Sequence, residues 1–118
     1  MAGYKTDRTS EDVRRELVLR IKELKDPRVK GKMLTVVRVE VSADLSVAKV
    51  YVSALEGLDA AKEAVKGLQS ATGYLRREVG QALHLRKAPE LRFIADDSVE
   101  RGMEIFQKMR EISGGENA

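Results

Sequence analysis

The side chains best able to do chemistry in this sequence are cations, and they come in two runs. Residues 20–32, RIKELKDPRVKGK, carry six Lys/Arg against two acidic residues. Residues 76–92, RREVGQALHLRKAPELR, carry five against two. A guanidinium or ammonium can neutralise a phosphate and release its counterions, an attraction that is sequence-independent and salt-sensitive. From residue 93 onward the balance reverses, to six Asp/Glu against three Lys/Arg. A chain of formal charge +3 polarised in this way presents a basic surface suited to a polyanion. Each run also has a plainer reading as a solvated face, and lysines beside a helix C-terminus balance its negative end.

Other chemistry is thinly provided for. There is no cysteine, hence no disulfide, thiolate nucleophile or thiolate metal site. His84 is the only histidine and has no evident carboxylate or nucleophile to work with. Asp96-Asp97 could hold a metal, but beside Ser98 they better suit the start of a helix. No H-E-x-x-H, G-x-S-x-G or Walker-type phosphate loop occurs. The expectation is a protein that binds rather than catalyses, without cofactor, metal or small-molecule substrate.

The elements that must position the cations follow from periodicity. Val13, Leu17, Ile21 and Leu24 predict a helix over 9–24, capped by Thr9 or Ser10 and stopped by Asp26-Pro27. In LTVVRVEV, Val37, Val39 and Val41 alternate with Arg38 and Glu40; in VAKVYVSA, Ala48, Val50 and Val52 alternate with Lys49 and Tyr51. Both read as strands with one wet face, joined through Ser42, Asp44 and Ser46 in a hairpin turn. A helix carrying Ala61, Ala64, Val65 and Leu68 follows, then another carrying Leu75, Val79 and Ala82/Leu83 and ending near Leu85. A third strand has Leu91, Phe93 and Ala95 on one face and Pro89 at its start. Ser98 then caps a last helix with Val99, Met103, Phe106 and Met109 at helical spacing, ended by Gly114-Gly115.

The order α-β-β-α-α-β-α predicts an α+β two-layer sandwich, a three-stranded sheet with helices on one face. Its other face, with Arg38, Glu40, Lys49, Tyr51 and Arg92, is left polar. With 118 residues, the chain reads as a single domain over 1–112 with a flexible tail over 113–118. No apolar h-region opens it and no apolar run is long enough to span a bilayer, which points to a cytoplasmic protein.

Inside LQSATGYLRREVGQAL, residues 68–83, the helical stripe is broken by Ser70, Ala71, Thr72 and Gly73. A β-α-α-β unit whose two helices meet at such a joint forms the core of the KH nucleic-acid-binding fold, although its G-x-x-G clamp is absent here. At this joint the chain resembles the bacterial ribosome-binding factor A family of small-subunit assembly factors. The resemblance is carried by KDPRV, LTVVRVEVSADLSVAKVYVSAL, LQSATGYLRREVGQALHLRKAPELRF and DDSVERGMEIF. In that family an A-x-G element replaces G-x-x-G, matching Ala71-Thr72-Gly73. The resemblance implies a type II KH-like fold that binds the immature small (30S) ribosomal subunit and its 16S rRNA. It also implies a role in late maturation, including the RNA's 5′ end, that matters most in the cold.

For RNA contact the residues suggest a short roster. With Leu75 and Val79 facing the core, Arg77, Gln81 and His84 line up opposite, and Arg76 lies on a flank. A positive helix end near Gly73 beside Arg76 and Arg77 could hold a phosphate. Arg86 and Lys87 follow the same helix, and Arg92 projects from the third strand. Lys22, Lys25, Arg28, Lys30 and Lys32 span the first helix end and its loop. Gly73 is expected to shape the corner more than to touch ligand. The protein is expected to act as a monomer. Two alternatives stand beside this reading: a protein-interaction adaptor docking a partner on the polar sheet face, and a generic single-stranded RNA binder.

Overall fold

The computed structural model describes residues 2–116, with side chains described for 8–113. Its elements are α1 (Ala2–Ile21), β1 (Leu34–Val41), β2 (Val47–Ala54), α2 (Leu58–Ser70), α3 (Thr72–Ala82), β3 (Glu90–Asp96) and α4 (Ser98–Glu116). The sheet order is β1-β2-β3, with β1 antiparallel and β3 parallel to the central β2. The parallel pairing requires a crossover, and the α2–α3 pair supplies it. The predicted element order and two-layer architecture are present.

One face of the sheet makes the core. Ala48, Val50 and Val52 from β2 and Leu91 and Phe93 from β3 are buried against Val13 and Leu17 of α1, Leu68 of α2, and Leu75 and Val79 of α3. Their cohesion is almost wholly aliphatic, as only five aromatic residues in the chain require. On β1 the expected Val37-Val39-Val41 alternation fails at its first member. A bulge between Val36 and Arg38 shifts the register, so Val36 turns inward and Val37 is only half-buried. An extra residue in one strand does this because side-chain direction alternates with every residue.

Both sheet edges are partly sealed. On β1, the Val41 amide donates to the buried Ser10 Oγ at 3.2 Å. On β3, the side-chain amide of Gln69 imitates a neighbouring strand: its Oε1 accepts from Phe93 N and its Nε2 donates to Leu91 O, both at 3.4 Å. Such cover blunts an edge that would otherwise pair with another chain. The hairpin turn is built as expected. Asp44 Oδ1 accepts from Ser46 N and from both serine hydroxyls, which holds its carboxyl down at about 2.

Several helix ends differ from expectation. Because α1 already runs from Ala2, Ser10 is not a cap but ties the helix to β1. Helix α3 stops at Ala82, which is exposed, and His84 lies beyond it with φ 52°, so His84 does not continue the Arg77–Gln81 face. The start of α4 is anchored by Asp96 Oδ1 accepting Ser98 N and Ser53 Oγ accepting Val99 N. Glu100 Oε2 also accepts Leu58 N, capping α2, whose Gly57 has no side chain to do so. From residue 101 to 113 every side chain of α4 is exposed, and its apolar row of Met103, Phe106 and Met109 joins no core. Periodicity marks a helix face as apolar without providing anything to cover it. The helix also runs through Gly114-Gly115 to Glu116, since glycine in a helix costs about 1 kcal/mol but does not forbid it. Of the expected tail, residues 117–118 lie outside the described residues.

Candidate nucleic-acid interface

The loop after α1 is cross-braced by its own side chains. Asp26 Oδ1 accepts the Arg28 amide at 2.8 Å, and the Arg28 guanidinium returns to both Asp26 oxygens at 3.1 and 2.7 Å. Those bonds hold the Asp26 carboxyl at about 2, against an ordinary 3.8. Arg28 Nη2 also donates to Ser70 Oγ at 3.2 Å, reaching the last residue of α2. Lys32 Nζ donates to Arg28 O at 2.6 Å and stands 3.4 Å from Glu63 Oε2. Gly31, at φ 92°, lets the chain turn between them. Lys22, Lys25 and Lys30 remain exposed, and no carboxylate pairs with them among the described residues.

The loop is pressed onto the helix pair at Gly67. A β-carbon there would lie 2.7 Å from Val29 Cγ2, 3.2 Å from Arg28 Cβ and 3.4 Å from Asp26 Cγ. Residue 67 was not singled out from the sequence. Its signal was a glycine in a helix interior, costly unless a close approach needs it.

The joint itself turns on Ala71, which ends α2 and begins α3 with φ −93° and ψ 10°. Thr72 and Gly73 already belong to α3. The kink therefore lies at Ala71, one of the three expected residues, and Gly73 is not its hinge. A β-carbon on Gly73 would meet nothing within 4 Å. Gly73 instead leaves the first turn of α3 bare. Beside it, Thr72 Oγ1 is shielded from solvent and has no hydrogen-bond partner. Tyr74 donates to Glu23 Oε2 at 3.1 Å, tying α3 to the end of α1, and the Arg77 guanidinium lies 6.0 Å from the Tyr74 ring.

The ten cations predicted to meet RNA thus fall into separate places. Lys22, Lys25, Arg28, Lys30 and Lys32 lie at the end of α1 and in the loop after it, and Arg77 lies on α3 beside Tyr74. Of these, Arg28 and Lys32 are occupied in holding the loop. Arg76 donates from Nε to Pro89 O and from Nη2 to Ala88 O, both at 3.0 Å, and so fastens the α3–β3 connection. Arg86 and Lys87 lie past the far end of α3, near Leu45 and Ser46 of the hairpin. An 11-residue helix puts roughly 16 Å between them and the joint. Arg92 projects from the opposite sheet face, 3.3 Å from Glu90. On that same face Arg38 lies 4.1 Å over the Tyr51 ring. Among the described residues no three His, Asp or Glu side chains converge as a metal site requires.

Known proteins share this fold. The family model for ribosome-binding factor A matches residues 5–109. The ribosome-binding factor A of Caldanaerobacter subterraneus subsp. tengcongensis is 39% identical over 111 residues, covering 93% of this chain and 90% of that one. The crystal structure of ribosome-binding factor A from Thermus thermophilus superposes with a TM-score of 0.66 at 30% identity, covering 76% of this chain and 94% of that one. A Thermus thermophilus homology model fitted into a cryo-EM map of a 30S complex superposes with a TM-score of 0.60 at 32% identity, covering 72% and 88%. With the KH-like sheet, the alanine-centred helix joint and a family match over nearly its whole length, the chain belongs to the ribosome-binding factor A family.

Proposed function

We propose that this protein binds the immature small ribosomal subunit through its 16S rRNA and assists late maturation without catalysing a reaction. The observation that carries the proposal is the docking of the KDPRVK loop onto the α2–α3 joint. In this reading Lys22, Lys25 and Lys30, on and beside that loop, act with Arg77 of α3 as one RNA-facing group. Beside them lies the bare first turn of α3, where backbone amides and the helix dipole favour a phosphate. A Thermus thermophilus relative has been fitted into a map of a 30S complex, which supports the same partner here. Arg86 and Lys87 form a second contact in this reading, and Arg76, Arg28 and Lys32 shape the surface. The protein acts as a cytoplasmic monomer of one domain, 1–112, with 113–118 as its tail. It holds the RNA while the 5′ end is processed, a service needed most in the cold.

Two measurements test the reading. Extract sedimented through a sucrose gradient places the protein with free small subunits; protein remaining at the top without ribosomal RNA rejects the reading. Reversing charge at Lys22, Lys25, Lys30 and Arg77 flattens the salt dependence of rRNA binding by about three to four logarithmic units of slope. An unchanged slope favours docking through the Arg38–Tyr51 sheet face instead.

A further inference from the structure

Between the C-terminal half of α1 and the start of β1 runs a cleft of about 350 Å³ whose aliphatic lining the RNA reading does not use, although it shares Lys22 and Lys30 with that reading. Its lining is largely aliphatic, with Val18 and Leu24 from the α1 side and Met33, Leu34 and Val36 from the β1 side, and it includes Lys32, which is paired with Glu63. Met33 is 66% exposed, and the adjoining Leu55, whose amide donates to Met33 O at 3.0 Å, is 48% exposed. Lys22 and Lys30 stand at the rim, both exposed and without a carboxylate among the described residues. An exposed apolar patch bordered by polar groups is the usual mark of an interaction site.

We propose that this cleft docks a short acidic segment of a partner protein, one carrying aliphatic side chains at alternate positions. Three features select that occupant. At the start of β1, an edge strand, the exposed Met33 and the half-buried Leu34 border the cleft, while Val36, two residues beyond Leu34, is a core residue that closes its floor; an extended segment matches this two-residue spacing. The two rim lysines call for carboxylates, a complementarity that speeds encounter and fixes orientation. No aromatic or arginine side chain lines the cleft, so a nucleobase has nothing to stack on. The volume is near the lower end of ligand clefts, roughly 300–1,000 Å³, and admits side chains rather than a folded domain. The inference shares Lys22 and Lys30 with the RNA reading but not Met33, Leu34 or Val18, so Met33→Ser separates the two.

A fluorescein-labelled peptide, acetyl-Glu-Leu-Asp-Leu-Glu-amide, tests it by fluorescence polarisation on the full chain. The controls are a peptide with serine in place of leucine and a ten-nucleotide oligouridylate. The leucine peptide is expected to bind about 10-fold tighter than the serine one. Met33→Ser, at an exposed side chain, and Lys30→Glu should each weaken the leucine peptide about 5- to 10-fold, with thermal midpoints unchanged. Amide shifts should centre on Val18, Leu34 and Val36, while the same titration of Arg77→Glu should be normal. Equal affinity for the two peptides, or oligouridylate displacing the peptide and shifting the same amides, overturns the proposal. The second result would make the cleft part of an RNA surface.

Discussion

A methyl group added at Gly67 would be driven to 2.7 Å from Val29 Cγ2, whereas one added at Gly73 would meet nothing within 4 Å. Overpacking of this kind costs about 1–3 kcal/mol, partly offset by the better helix propensity of alanine. Gly67→Ala should therefore lose about 1–2 kcal/mol in urea denaturation, while Gly73→Ala should gain about 0.5–1 kcal/mol. A destabilised Gly73→Ala would restore the view of Gly73 as the hinge. Both glycines lie in helical stretches, yet the sequence pointed only to Gly73, because what distinguishes Gly67 lies in a loop some forty residues upstream. Two carboxylates give a second prediction at this scale. Asp26, bonded by Arg28, and Asp44, bonded by Ser46 and Ser42, both titrate at about 2 when folded. A depressed carboxyl stabilises the fold above its ordinary value of 3.8 and loses that contribution as pH falls through the folded one. Stability should accordingly decline between about pH 4 and 2, and Asp26→Asn and Asp44→Asn should each flatten that limb in urea titrations.

Among the elements, α4 is the one whose role periodicity misjudged. Its apolar spacing was legible in Val99, Met103, Phe106 and Met109, yet α1, α2 and α3 already cover the inner face of the sheet. Only its first turn is tied down, through Ser53, Asp96 and Glu100. A chain ending after Glu104 should melt within about 2 °C of the full protein, whereas Glu100→Ala should lose about 1 kcal/mol by uncapping α2. Differential scanning calorimetry separates the two; a large loss on truncation would mean that α4 has a covered face. The loop after α1 is the converse case. Its lysines were legible as charge, but the clamp of Arg28 on Asp26 and Ser70 was not, since it joins residues 42 apart in sequence. Arg28→Lys keeps the charge and loses the two-pronged contact. It should weaken rRNA binding with little change in salt slope, as expected of a residue that positions the surface without touching phosphate. A slope lowered by about one unit would place Arg28 on the RNA.

For the whole molecule, alternating strands and interrupted helices specified the layered architecture. They also specified the joint to within two residues, because those signals are local. What they could not specify was which cations share a side. The fold groups the loop after α1 with α2 at Gly67 and Ser70, leaves Arg86 and Lys87 at the far end of α3, and turns Arg92 to the other face of the sheet. That grouping depends on one long-range seam, in which Val29 fits where Gly67 has no side chain. The seam has a hereditary consequence. Neither position is free to drift alone: a lineage that acquires alanine at 67 must shrink residue 29 or let the loop lift away from the joint. Substitutions at 29 and 67 should therefore be inherited as a pair, though the residues look unrelated when the chain is read end to end.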